Sequence, residues 1–135
     1  MSTQTTQGIT IVVDKDSPSG VSANTCALLA MTLGAEHPEF LGPAVTTSDG
    51  VSHAGICRLP IPVLAAPSST LAQFASDDRL RVVGFTTVAA RARTYDSYGA
   101  EMTDTSHDSL QYLGIAMVGD RKVIRSLTGD LPLYR

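Results

Sequence analysis

A charged tripeptide, Asp14-Lys15-Asp16, directly follows the apolar segment Gly8–Val13. The β-branched, apolar character of that segment predicts a strand buried on both faces. Ligands of α/β proteins bind beyond the carboxyl ends of strands. A carboxylate there can act as a base and an ammonium can contact an anion, so Asp14 and Lys15 are candidate catalytic residues. The alternative is a solvated turn in which Lys15 simply lies between two acids.

His53 is a candidate general acid or base, because imidazole titrates near neutral pH. The alternative is a histidine that forms hydrogen bonds at a strand edge. His53 and Cys57 are four residues apart in a strand-like segment, which separates them by about 13 Å. They cannot share one metal ion at that distance, and we expect no metal site. Cys26 lies among Ala and Leu and is expected to be a small core residue.

Three further residues are candidates for ligand binding. Asn24, one turn into the predicted first helix, could orient a polar ligand. Tyr95 and Tyr98, preceded by Arg91 and Arg93, combine aromatic faces with cations that could line a pocket. The alternative is that the tyrosines cover a sheet edge or form a subunit contact.

The basic residues Arg121, Lys122 and Arg125 cluster near the beginning of a predicted helix. They form either a solvated face or a contact to RNA or phosphate. The common motifs of nucleotide-binding proteins, serine hydrolases and zinc proteases (GxGxxG, the phosphate loop, GxSxG and HExxH) are absent from the sequence, which argues against those classes.

Strand-like and helix-like segments alternate along the chain, as in α/β proteins. Pro60 and Pro62 interrupt the middle strands and favour a mixed sheet whose edge contains them. Ser19 is a candidate N-cap of the first helix, and Gly34 its end. Asp120 is a candidate N-cap of the last helix. We predict a three-layer sandwich, with a mixed sheet of about four strands and helices on both faces. The predicted strands are 8–13, 51–57, 61–64, 80–86 and 113–118, and the predicted helices are 21–34, 67–78, 88–100 and 120–129.

The composition limits the class of protein. A chain of 135 residues fits one domain, for which we predict bounds of 1–135 with a flexible tail at 1–7. No apolar run approaches the roughly 20 residues that span a bilayer, and the amino terminus does not resemble a secretory signal. The net charge of −3 disfavours nucleic acid as a partner. A cytoplasmic protein is expected, and the segment Ile61–Leu64 could form a homodimer.

Two long stretches, ITIVVDKDSPSGVSANTCALLAMTLGA at 9–35 and YLGIAMVGDRKVIRSLTGDLPLYR at 112–135, carry a family likeness. Together with SHAGICRLPIPVLAA and TYDSY between them, they resemble the bacterial family known as domain of unknown function 2000. That family is similar in fold to the archaeal and eukaryotic type of peptidyl-tRNA hydrolase. The resemblance implies a small mixed sheet flanked by helices.

The catalytic residues of those hydrolases have no match in this chain. Val21 stands where the resemblance places a lysine after the loop glycine, and Asn24-Thr25 stands where it places a glutamine. The stretch before the last strand, Ser106–Gln111, differs from the hydrolase pattern as well. A valine side chain can supply neither the charge nor the proton of a lysine, so the resemblance implies the scaffold without the reaction.

These observations favour a small domain that binds a small anionic ligand or acts as a regulatory protein. The alternative is an enzyme that acts on a small anionic metabolite, or on a substrate related to aminoacyl- or peptidyl-tRNA. It would use Asp14, Lys15, Asn24 and His53. No cofactor is indicated for either function.

Overall fold

Two apolar segments, one near each end of the chain, form the two central strands of the sheet. The computed structural model describes residues 6–135. The strands are β1 Gln7–Asp14, β2 Val45–Thr46, β3 Ser52–His53, β4 Val63–Ala66, β5 Arg81–Thr86 and β6 Tyr112–Asp120. The α-helices are α1 Ser19–Glu36, α2 Ser68–Ala75, α3 Thr87–Arg91, α4 Tyr95–Thr103 and α5 Arg121–Thr128, with 3₁₀ turns at Pro38–Phe40 and His107–Ser109.

The main sheet has the strand order β4-β1-β6-β5. β1 pairs parallel to β4, whereas β6 is antiparallel to both β1 and β5. The predicted mixed, four-stranded sheet with helices is therefore confirmed. β1, β4 and β5 share one direction, so their carboxyl ends lie along one edge of the sheet. β2 and β3 form a separate two-stranded sheet.

Alternation along β1 divides the core into two layers. Ile9, Ile11 and Val13 pack with Leu29 and Leu33 of α1 on one face. On the other face, Val12 belongs to a second cluster that contains residues of α2 and α5. Because successive side chains of a strand point to opposite faces, a continuous apolar run fills both layers at once. No helix within residues 6–135 is long and apolar enough to cross a membrane.

Several predicted boundaries change in the structure. α1 begins at Ser19 with Pro18 as its N-cap and continues past Gly34 to Glu36, so both predicted ends of that helix are wrong. The predicted strand 51–57 is reduced to Ser52–His53, with an isolated bridge at Cys57.

The predicted helix 88–100 is two helices, α3 and α4, broken between residues 91 and 95. The N-cap predicted at Asp120 is confirmed, because its side chain accepts hydrogen bonds from the N–H groups of Lys122 and Val123. Residues 1–5 of the predicted tail lie outside the described residues, and Gln7 already pairs with Asp120 in β1.

The outer edge of β4 is covered by the carboxyl-terminal segment of the same chain. Ala65 N–H donates to the Pro132 carbonyl at 3.0 Å, and Tyr134 N–H donates to the Val63 carbonyl at 2.9 Å. Leu64 is buried and forms a bridge with Leu133. The chain therefore covers this sheet edge itself, within the segment Ile61–Leu64 that the sequence offers for a homodimer.

α1 packs closely against the sheet at Gly114 of β6. A Cβ atom at residue 114 would lie 2.5 Å from Thr25 Cγ2 and 3.4 Å from the Val12 carbonyl oxygen. Thr25 is completely buried, and its hydroxyl donates to the Val21 carbonyl at 2.8 Å. Only a residue without a side chain leaves room for this contact, so Gly114 sets the distance between helix and sheet.

We predict that Gly114→Ala lowers the free energy of unfolding by about 1–3 kcal/mol, because the added methyl group overpacks the interface with Thr25. The control is Gly34→Ala in α1, where a Cβ atom would meet nothing within 4 Å. This control should gain about 0.5–1 kcal/mol through helix propensity. Urea denaturation measures both values, and equal effects of the two variants would contradict the close contact.

Candidate functional site

A groove lies between the outer face of α1 and the segment that runs from β5 into α4. We call it the α1–α4 groove. Its main cavity has a volume of about 450 Å³. A second cavity of about 440 Å³, closer to the beginning of α1, shares Leu28, Phe85, Ala89 and Ala92 with the first. The two cavities therefore adjoin each other.

The helical wall of the groove is apolar and exposed. Leu28 and Met31 of α1 are 44% and 78% exposed, although they belong to residue types that favour the core. Asn24 and Val21 lie one and two turns before Leu28 on the same helix and line the second cavity. α1 thus has two apolar faces, one against the sheet and one along the groove, and only the second is open.

The opposite wall contains the two tyrosines of α4. Thr94 caps α4 by accepting a hydrogen bond from Ser97 N–H at 3.0 Å, and Ser97 Oγ accepts one from Thr94 N–H at 3.2 Å. This capping box fixes where the helix begins. Because Tyr95 and Tyr98 are three residues apart in this helix, their side chains lie on one face. Their ring centroids are 5.5 Å apart in an edge-to-face arrangement.

Arg93 is the one charged residue among the described residues that line the two cavities. It lies in the break between α3 and α4, and no carboxylate of the described residues is within 4 Å of it. The nearby Arg91 differs, because its guanidinium donates to the Glu101 carboxylate. The groove therefore combines apolar and aromatic walls with one cation that has no anionic partner in this part of the chain.

An ion pair joins the far ends of the two groove walls. Arg81, the first residue of β5, donates to Glu36, the last residue of α1, through Nε to Oε1 at 3.0 Å and Nη2 to Oε2 at 2.6 Å. This bidentate contact lowers the pKa of Glu36 from its ordinary value, chiefly through the hydrogen bond from Arg81. The pair connects α1 to β5 where the groove ends.

The charged loop after β1 has a visible structural role. The Asp14 carboxylate accepts hydrogen bonds from Asp16 N–H at 3.1 Å and from Ser17 Oγ at 3.0 Å. Lys15 donates to the Asp16 carboxylate at 3.2 Å, and its backbone N–H donates to the Ala66 carbonyl at 3.0 Å. These contacts shape the turn into α1. An aspartate in a turn commonly accepts a hydrogen bond from the backbone N–H two residues later, as Asp14 does here.

His53 lies at a different place in the fold. It pairs with Val45 in the small β2–β3 sheet, is exposed, and lines a cavity formed entirely by residues 42–58. None of the residues of that cavity lines the α1–α4 groove. The structure thus brings Asn24, Tyr95 and Tyr98 to one groove and places His53 on a separate surface.

The cysteines and the metal-ligating side chains are the groups that nucleophilic or metal chemistry would use. Burial raises the pKa of the Cys26 thiol above its usual value, which keeps it protonated at neutral pH. Cys26 and Cys57 are both free thiols. Among residues 6–135, no group of three or more His, Cys, Asp or Glu side chains could hold a metal ion.

Sequence reasoning missed the apolar part of the groove. Leu28, Met31 and Phe85 were assigned no role in binding, because apolar residues on a helix or strand normally face the core. The available signal was that apolar residues occur on all sides of α1, which is more than one sheet can cover.

A family model described as protein of unknown function (DUF2000) matches residues 7–135. The chain therefore belongs to this family, as its sequence resemblance predicted. No curated protein matches it. Among solved structures, the chain is similar to the protein of unknown function Atu0240 from Agrobacterium tumefaciens strain C58, with 18% sequence identity and a TM-score of 0.87. The match covers 98% of this chain and 100% of the other, and it shows the fold alone.

We predict that Arg81→Gln raises the pKa of Glu36 toward its ordinary value, because the hydrogen bonds to the carboxylate are lost. A lowered folded-state pKa stabilises the protein above the ordinary pKa, and this contribution disappears as the pH falls through the lowered value. The variant should therefore be less stable than the parent at neutral pH, with a difference that shrinks on acidification. Carboxyl NMR titration and denaturation at several pH values measure both effects.

Arg79→Gln is the matched control for that experiment. Arg79 holds the pKa of Asp77 at about 2 through its own side-chain hydrogen bonds, in the loop before β5. The control should raise the pKa of Asp77 and leave that of Glu36 unchanged. A Glu36 pKa that moves equally in both variants would mean that general charge, rather than the direct contact, sets it.

Proposed function

We propose that this member of the DUF2000 family is a binding domain for small amphipathic anions, which occupy the α1–α4 groove. The observation that carries the proposal is Arg93, a guanidinium without an anionic partner among the described residues, at the wall of an otherwise uncharged groove. A ligand with an apolar body and one carboxylate, sulfonate or phosphate group would satisfy both features. The regulatory role expected from the sequence would follow from such binding.

The lining supports this class of ligand. Leu28, Met31 and Phe85 offer aliphatic and aromatic surface, and Tyr95 and Tyr98 add flat faces. Burial of such surface contributes about 25 cal/mol per Å². A hydrogen bond to a charged group contributes about 1.5–3 kcal/mol, and the Arg93 guanidinium would supply it. Asn24 and Thr32 add neutral polar groups that could orient the ligand.

The dimensions favour a small molecule over a macromolecule. The main cavity of about 450 Å³ lies within the range of about 300–1,000 Å³ that is typical of small-molecule sites. A polyanion such as tRNA would meet a chain with a net charge of −3, in which three arginines, Arg79, Arg81 and Arg91, are already paired with carboxylates. We therefore do not propose nucleic acid as the partner.

The proposal assigns no peptidyl-tRNA hydrolysis to the chain, although its sequence resembles that scaffold. Val21 stands where the resemblance places a catalytic lysine, and it lies along the groove, 37% exposed. The Asp14 and Lys15 side chains are engaged with Asp16 and Ser17 in the loop. The alternative enzyme would also need His53, which lines a separate cavity.

The fluorescent probe anilinonaphthalene sulfonate, an aromatic anion, tests the groove directly. We expect the native protein to bind one molecule of the probe in the α1–α4 groove, with an increase in its fluorescence. We expect Arg93→Gln to weaken binding about tenfold, the equivalent of about 1.4 kcal/mol, through loss of the charged hydrogen bond. Met31→Glu should weaken it further, because it places a like charge beside the anion. Fluorescence titration measures each dissociation constant.

Two matched variants serve as controls for this titration. Arg58→Gln removes an arginine that also lacks a carboxylate partner among the described residues, and Ile56→Glu alters an apolar side chain that is 80% exposed. Both residues line the cavity of His53. If the control variants weaken the probe as much as Arg93→Gln and Met31→Glu, the groove is not the site. A dimer in sedimentation that Met31→Glu dissociates would instead identify a second copy as the occupant.

A peptidyl-tRNA analogue tests the absence of hydrolysis. We expect no release of the peptide above the rate in buffer, because the position of the lysine is occupied by Val21. Cleavage that is lost in Asp14→Asn or Lys15→Gln would contradict the proposal and support the enzymatic alternative.

A further inference from the structure

A separate cavity, outside the α1–α4 groove, lies in the other helical layer between the first half of β1 and α5. We call it the β1–α5 cleft; it has a volume of about 220 Å³. The segment Leu59–Pro62 closes one side, and Arg121 and Arg125 of α5 lie on the other. We propose that this cleft binds the phosphate group of a small phosphorylated molecule, independently of the α1–α4 groove.

The position of Arg121 is set by its own backbone and by Gly8. The Arg121 N–H donates to the Thr6 carbonyl at 2.8 Å, which fixes the first residue of α5 against the beginning of β1. A Cβ atom at residue 8 would lie 2.7 Å from Arg121 Cγ, so the arginine stem lies directly over the glycine. The absent side chain at Gly8 thus provides the space in which Arg121 runs along the strand.

Arg125 follows one helical turn later and lines the same cleft. Within residues 6–135, neither arginine has a carboxylate within 4 Å. The adjacent Asp120 carboxylate is directed to the helix backbone, where it accepts from the N–H groups of Lys122 at 2.8 Å and Val123 at 3.4 Å. The cleft therefore holds two guanidiniums, and no carboxylate is among its lining residues.

Thr10 adds a hydroxyl to the same cleft. The residue is 6% exposed and lines the cavity. Its oxygen is open to the cleft, since Ser22 Oγ is the one fully buried side-chain oxygen without a partner among the described residues. A ligand oxygen in the cleft would pair with it.

This donor set matches a phosphate group. Guanidiniums present planar pairs of N–H donors that fit phosphate oxygens, and a hydroxyl completes the contacts. Leu59, Pro60 and Pro62 form an apolar wall that would contact the organic part of a phosphomonoester. The cleft is too small for a nucleic acid chain to enter, and the net charge of −3 opposes such a polyanion.

Isothermal titration with inorganic phosphate and with phenyl phosphate, at constant ionic strength, tests the cleft. We expect both probes to bind, and phenyl phosphate to bind more tightly because its ring contacts the apolar wall. Arg121→Gln and Arg125→Gln should each weaken phosphate binding about tenfold. If inorganic phosphate binds more tightly than phenyl phosphate, the claim that the ligand has an organic part is wrong. If neither probe binds, the claim that the cleft is a phosphate site is wrong.

Lys122→Gln is the matched control, because it removes one positive charge from the same helix at a residue that does not line the cleft. We expect its affinity for phosphate to stay within about twofold of the parent value, since the effect of an exposed charge is small. A loss equal to that of Arg125→Gln would overturn the proposal, because it would reveal general attraction to a basic helix.

Two variants that keep every charge make the test sharper. Gly8→Ala should displace the Arg121 stem and weaken phosphate binding severalfold. Thr10→Val removes the hydroxyl at nearly constant shape, so it should weaken phosphate binding. Unchanged phosphate affinity in both variants would overturn the proposal, as would tighter binding of an RNA oligonucleotide than of phenyl phosphate.

Retained binding of anilinonaphthalene sulfonate by Arg121→Gln would show that the two sites are independent.

Discussion

The close contact between Thr25 of α1 and Gly114 of β6 is the constraint on which the rest of the fold depends. β6 lies between β1 and β5 and is covered on both faces, so every layer of the molecule is placed relative to it. Because Gly114 lets α1 lie close to the sheet, one face of the helix is buried. Another face of the helix stays exposed and lines the groove together with residues of β5. The α1–α4 groove is the direct consequence of that position.

The distribution of ion pairs explains why two surfaces stand out from a weakly charged protein. Arg79, Arg81 and Arg91 are neutralised by carboxylates and stabilise loops or join elements. The arginines that line the two proposed sites have no such partner among the described residues. An arginine in a cavity without carboxylates can bind an external anion, because no lining carboxylate competes with that anion for the guanidinium.

Residues that look catalytic in the sequence also make structural contacts. Asp14 and Lys15 follow a strand at the edge where ligands bind in α/β proteins, yet their side chains organise the turn into α1. His53 belongs to a short hairpin with its own cavity. Residue type and position in the chain indicated chemistry at these places, but hydrogen-bond partners decide whether a carboxylate or ammonium is engaged.

The sequence alone determined the alternation of strands and helices, the mixed four-stranded sheet, the Asp120 cap and the family, since these follow from local periodicity, proline positions and motif order. It also singled out Asn24, Tyr95 and Tyr98. Only the tertiary structure decided that these three share one groove, that the carboxyl-terminal segment covers β4, and that Thr10 joins two arginines in a cleft. Such contacts join residues far apart in the chain, and their distances depend on packing between layers, which no local pattern encodes.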